Sequence, residues 1–238
     1  MRPPIPSGLA RPLLCAAVLA AALAHIEASV VVYLRETLVP VRTRYFPDAV
    51  REPLPLLDLD QLREAGPAVR SFLGFEMARE LSALAVLAAA AIGLSRRRRQ
   101  GVWLFLLAFG LWDILYYVFL KLLMDWPASP GTWDVLFLVP VPWVAPVWAP
   151  LAVAVVLLLG GLAGLTRPRR RLTGAGRAAA GVVFALAVAL VLASFIRRWP
   201  QAVGGVPPAF DWPLFLAGWA LGAGGLAWVL SRRSARGP

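Results

Sequence analysis

Glu76, Arg79 and Glu80 put three charges into one turn of an apolar run that extends from Phe72 to Leu94. At about 1.5 Å per residue a run of that length crosses a bilayer. A charge near the bilayer centre costs about 2.5–3.5 kcal/mol, so three in one turn require an interior setting with partners. Glu76 and Glu80 lie four apart on one helix face, and Arg79 is three residues from Glu76. Two carboxylates at that spacing repel unless a cation, a shared proton or Arg79 lies between them.

Partners stand in the flanking apolar runs. The first carries His25 and Glu27, and the third carries Asp113, Tyr116 and Tyr117 at i, i+3, i+4. With spans centred near residues 23, 83 and 113, all of these groups fall between the midplane and about 10 Å towards one side. His25 and Glu27 point nearly opposite ways, so they cannot both face the same neighbour. Glu27 is expected to pair with a different helix.

Three chemistries suit this set. The charges could form a hydrogen-bonded ion-pair network that orients the bundle. His25, Glu76, Glu80 and Asp113 could ligate a divalent metal ion such as zinc, manganese or iron. A metal-activated water would then serve an enzyme acting on a lipid-like substrate, with Glu76, Glu80 and Asp113 catalytic. Arg79, Tyr116, Tyr117 and Glu27 would orient the substrate. Alternatively, the acids and His25 could relay protons or bind a cation for a small transporter. Against the metal stands a single histidine with no H-x-x-x-H or H-E-x-x-H spacing. Against the transporter stand the lack of an internal repeat and a second half without interior charges.

The elements that must position these groups are six apolar runs, near residues 13–34, 72–94, 102–124, 143–165, 178–196 and 212–230. With 60% hydrophobic residues and a mean hydropathy of +0.71, the chain departs from soluble composition. The expected fold is an all-α integral membrane protein, one domain over residues 1–238, in a six-transmembrane-helix bundle. The net charge of +11 does not imply nucleic acid. Arginines at 2, 11, 96–99, 167–177 and 232–236 share one side of the membrane if every run spans, and none of the 13 acidic residues lies among them. The positive-inside rule then gives N-in, C-in, with anionic lipid as the arginines' partner. A sole cysteine, Cys15, rules out an intramolecular disulfide. Ala22-Leu23-Ala24 resembles a signal-peptidase site, but the apolar run resumes to Leu34 and favours an uncleaved first helix.

Residues 35–71 form the longest connection, charge-balanced and broken by five prolines, and are expected to lie on the outer surface as a partial lid. Prolines at 140, 142, 146 and 150 argue against a continuous helix after Asp134 and for an interfacial or re-entrant Pro-Trp segment before the fourth span. Trp126, Trp133, Trp143, Trp199 and Trp212 are placed in an outer aromatic belt. Lys121 is expected to snorkel outward. Asp125, Asp134 and Asp211 suit turns or caps, although a re-entrant segment would bring Asp134 to the cluster. Gly160/Gly164 and Gly218/Gly222, in the fourth and sixth runs, allow close helix approach and a possible homo-oligomer contact.

The segments Trp112-Asp113-Ile114-Leu115-Tyr116-Tyr117 and Trp133-Asp134-Val135-Leu136-Phe137-Leu138-Val139-Pro140-Val141-Pro142-Trp143 resemble stretches in uncharacterised bacterial multi-span membrane proteins. That resemblance implies a bacterial inner-membrane protein and carries no activity. The several histidines of membrane hydrolases related to alkaline ceramidase are not present.

Overall fold

The computed structural model of the protein describes residues 8–64, 67–166, 172–207 and 209–231. It is mostly helical, 76%. The elements are α1 (Ala10–Tyr45), α2 (Leu59–Glu64), α3 (Pro67–Gly93), α4 (Arg98–Met124), β1 (Trp133–Phe137), β2 (Trp143–Pro146), α5 (Trp148–Thr166), α6 (Gly174–Ile196), α7 (Trp199–Ala202) and α8 (Trp212–Ser231). Five helices are long and apolar enough to cross a membrane: α1, α4, α5, α6 with α7, and α8. Helix α3 matches them in length but carries Glu76, Arg79 and Glu80, and it is not one of the five. Ile92, Leu122 and Val182 are 71%, 74% and 67% exposed. Side chains of that kind suit a lipid surround better than water.

Alanines at every fourth position decide how α1 packs. Ala16, Ala20, Ala24 and Ala28 are all buried, and the first three join Leu87 and Ala91 of α3 and Leu104, Leu107, Ala108 and Trp112 of α4 in one core cluster. Small side chains along a stripe let helix backbones approach and maximise dispersion contact. The helix runs unbroken through Ala22-Leu23-Ala24 and past Leu34. The expected outer loop therefore begins eleven residues later than the hydropathy suggested, at Phe46. The stripe continues as Ala28, Arg35 and Arg42, spaced by seven and all buried, so the same helix face turns from apolar to cationic.

Glycine sets the remaining contacts. A Cβ on Gly110 of α4 would lie 2.4 Å from the Ala154 carbonyl oxygen of α5, and one on Gly161 would lie 2.6 Å from the Leu107 nitrogen. Gly160 faces Leu226 of α8, Gly164 faces Trp103 of α4, and Gly218 and Gly222 face Ala187 of α6. The small-residue pairs expected to serve a homo-oligomer are thus occupied within the chain.

The Pro-Trp segment is a β-hairpin, which corrects a strictly all-α reading. Strands β1 and β2 pair antiparallel with Asp134 opposite Ala145 and Val135 opposite Val144, and a bulge falls between Val135 and Phe137. Aromatic and β-branched residues favour the pleated form, while Pro140 and Pro142 occupy the turn, where no ladder donor is needed. Leu54, from the segment after α1, is buried against Val144 and Ala202. Leu56 donates to the Ala202 carbonyl at 2.7 Å and accepts from Gly204 at 3.1 Å. The 46–58 segment therefore contacts the hairpin and ties the two halves of the chain together. Arginines at 2, 167, 169–171, 232, 233 and 236 lie outside the described residues.

Candidate functional site

A cavity of about 750 Å³ opens between α1, α3, α4, the hairpin and the α5–α6–α8 half. Seven of the eight candidate groups line it: Glu27, Glu76, Arg79, Glu80, Asp113, Tyr116 and Tyr117. His25 does not. It is exposed on the other side of α1, with its ring edge-on to Phe119 at 5.2 Å. The helical-wheel separation of His25 from Glu27 is what sends one outward and the other inward.

Arg79 links two helices. Its guanidinium pairs with Glu27 of α1, and its Nη2 and Nε donate to Glu76 at 2.6 and 2.8 Å. Both carboxylates are mostly withdrawn from solvent, so charge-assisted bonds replace their lost hydration. Glu80, 7% exposed, does not share that arginine's hydrogen bonds. It accepts from the backbone N–H of Leu138, just past β1, at 3.0 and 3.1 Å. The i, i+4 acids are thereby separated: Glu76 goes to an arginine and Glu80 to the hairpin.

A second group holds the hairpin's root. Asp134, 2% exposed, accepts from the Tyr117 hydroxyl at 2.9 Å, with Arg35 at 3.9 Å. Arg35 stacks 4.0 Å over Trp126 and donates to the Arg51 carbonyl at 3.2 Å. Arg42 donates to the carbonyls of Ala49, Val50 and Pro55, which fixes the 46–58 segment. Trp126 donates to Glu52 at 2.9 Å. Only 5% exposed, Trp126 is a core residue and not part of a lipid-facing belt. Trp143 lines the cavity, whereas Trp212, 46% exposed, stacks on Trp148.

Asp113 and Tyr116 face the same cavity. Among the described residues, neither side chain has a hydrogen-bond or ion-pair partner for its polar atoms. The buried indole N–H groups of two wall residues, Trp112 and Trp143, also lack acceptors. Across from them the wall is apolar, formed by Val153, Leu157, Phe184, Val188, Val191 and Ala223 of α5, α6 and α8. In the last turn of α4, Lys121 bonds the C-cap residue Asp125 at 2.7 Å and holds that carboxyl below its ordinary range. Asp211 pairs with Arg198 at 2.9 Å, away from the cavity.

Arg35, Arg42, Glu52 and Asp134 are wall residues that hydropathy assigned to a loop or cap. For the two arginines the signal was the spacing of seven that continues the buried Ala28 face through Arg35 to Arg42. The metal reading does not fit these side chains. Among the described residues no group of three or more His, Cys, Asp and Glu is placed to hold a metal ion; His25 faces away and Glu76 is taken by Arg79. The chain matches no known family model, no curated protein and no solved structure.

Proposed function

We propose that this chain is a six-span membrane protein, N-in and C-in in a bacterial inner membrane, that binds a lipid-like amphiphile in its central cavity. α3 is the sixth span, its charges turned inward onto Glu27 and the hairpin. The hairpin enters from the outer side as the re-entrant segment and the 46–58 segment roofs it. Running through Ala22-Leu23-Ala24, α1 is retained, because cleavage there would remove Ala16, Ala20 and Ala24 from the core they share with α3 and α4.

One observation carries the reading: a carboxylate-rich end and a long apolar wall belong to a single cavity. Amphiphiles need both, a polar end for the head and a dry channel for the chain. An enzyme acting on that amphiphile would use Asp113 and Glu80 as its acid–base groups, since both reach the cavity and neither is neutralised by a close arginine. The carrier reading needs a polar path to the inner side. Helices α5, α6 and α8 offer apolar side chains there, so the observations support it less.

Native mass spectrometry of protein released from mild detergent tests the binding. A co-purifying lipid is expected on the wild type and on Leu159→Trp, which lies on an exposed face, and is expected to be lost from Leu157→Trp, which fills the cavity. Equal retention by all three proteins would end the reading. For topology, a cysteine at Asp60 should react with an impermeant thiol reagent in intact cells, and one at Ser95 only after permeabilisation. The reverse pattern would invert the orientation.

A further inference from the structure

Six carboxyl groups, Glu27, Glu52, Glu76, Glu80, Asp113 and Asp134, line the cavity against three guanidiniums, Arg35, Arg42 and Arg79. Arg79 is already committed to Glu27 and Glu76. Glu80 has a single backbone donor, and Asp113 has none among the described residues. The other two guanidiniums of the wall are also engaged, Arg35 by Asp134 and a carbonyl, Arg42 by three carbonyls. Among the described residues each wall guanidinium thus already has donors engaged, and an incoming anion would add to the excess of acidic groups on the wall. At low dielectric that repulsion is far stronger than in water.

We propose that the carboxylate-rich end of the cavity takes the positively charged amine head group of an amphiphile and discriminates against anionic heads. The inference rests on the amphiphile-binding reading above. An ammonium brings three donors, which suits a wall carboxyl such as Glu80 or Asp113 as acceptor and reduces the charge imbalance. Aromatic wall residues add to the match, because ring faces attract cations. The acceptor-free indole N–H groups of Trp112 and Trp143 are neutral donors, suited to an ester, amide or hydroxyl oxygen near the head.

The test uses the full chain in nanodiscs of zwitterionic lipid with three probes of one chain length: tetradecylamine, tetradecanol and tetradecanoate. Affinity is read by native mass spectrometry and by thermal shift. The amine is expected to bind about tenfold or more tighter than the carboxylate, the ratio that one charge-assisted hydrogen bond supplies. The net charge of +11 biases unspecific binding the opposite way, so a surface effect cannot produce this order. Glu80→Gln/Asp113→Asn should abolish the preference while leaving tetradecanol unchanged; Asp113→Asn alone should halve it or more, and serves if the double variant does not fold. Carboxylate binding equal to or tighter than amine binding overturns the inference and leaves the amphiphile reading standing. If no probe binds wild type better than Leu157→Trp, both fall.

Discussion

Helices α1, α3 and α4 meet through alanines and paired charges, whereas α5, α6 and α8 meet through glycines with no charge between them. In the first half the costly event is electrostatic. Arg79 is held by Glu27 and Glu76, and loss of one partner leaves buried charge uncompensated. In the second half it is steric, since a single added carbon at Gly218 would come within 2.9 Å of the Ala187 carbonyl oxygen. The second half therefore gives the cavity a closely packed apolar wall, and the first half gives it its charged groups. The hairpin belongs to both, with Glu80 and Asp134 on one side of it and Phe195, Phe210 and Phe215 on the other.

The sharpest way to break this contrast is Arg79→Met. It should cost about 3–5 kcal/mol in detergent unfolding, because two acids are left buried without a cation. Adding Glu27→Gln and Glu76→Gln should restore most of the loss. A mild effect of Arg79→Met alone would mean that these acids are already neutral. In the packing, Gly161→Val should cost about 1–3 kcal/mol through overpacking against Leu107, with Gly181→Ala, which has open space around it, neutral or slightly stabilising. Comparable melting points for the two would deny glycine its structural role. Tyr117→Phe removes the hydroxyl donor of buried Asp134 and should cost about 1–2 kcal/mol, with faster amide exchange over β1 as its specific sign. Smallest in stability is Asp113→Asn. No bond is lost, so unfolding should be unchanged while amine binding falls; a large destabilisation would reveal a partner for Asp113 and a structural task.

Legibility followed the range of the physics. Helix existence was written in apolar run length, and the pairing of Glu76, Arg79 and Glu80 in the cost of placing three charges in one turn of an apolar run. Depth alone also grouped seven of the eight candidate residues. It failed for His25, because depth says nothing about which way a side chain points once neighbours are chosen. It also missed the extension of α1, because hydropathy falls at Arg35 and Pro40 suggests a break. The helix persists there because Arg35 and Arg42 find Asp134, Trp126 and carbonyls of residues 49–55. Asp134 was legible only conditionally, through the proline spacing that hinted at re-entry.

By itself, the sequence determined that the chain forms long apolar helices, that Glu76, Arg79 and Glu80 need partners among the neighbouring helices, and that residues 133–146 are not one helix. Those results follow from local costs: desolvation of charge, hydrophobic length and proline's missing donor. Only the tertiary structure decided that Glu76 and Glu80 part company, that Trp126 is core, and that the apolar second half forms the far wall of the polar site. These outcomes depend on which helices touch, and that is set by alanine and glycine contacts between residues far apart in the chain.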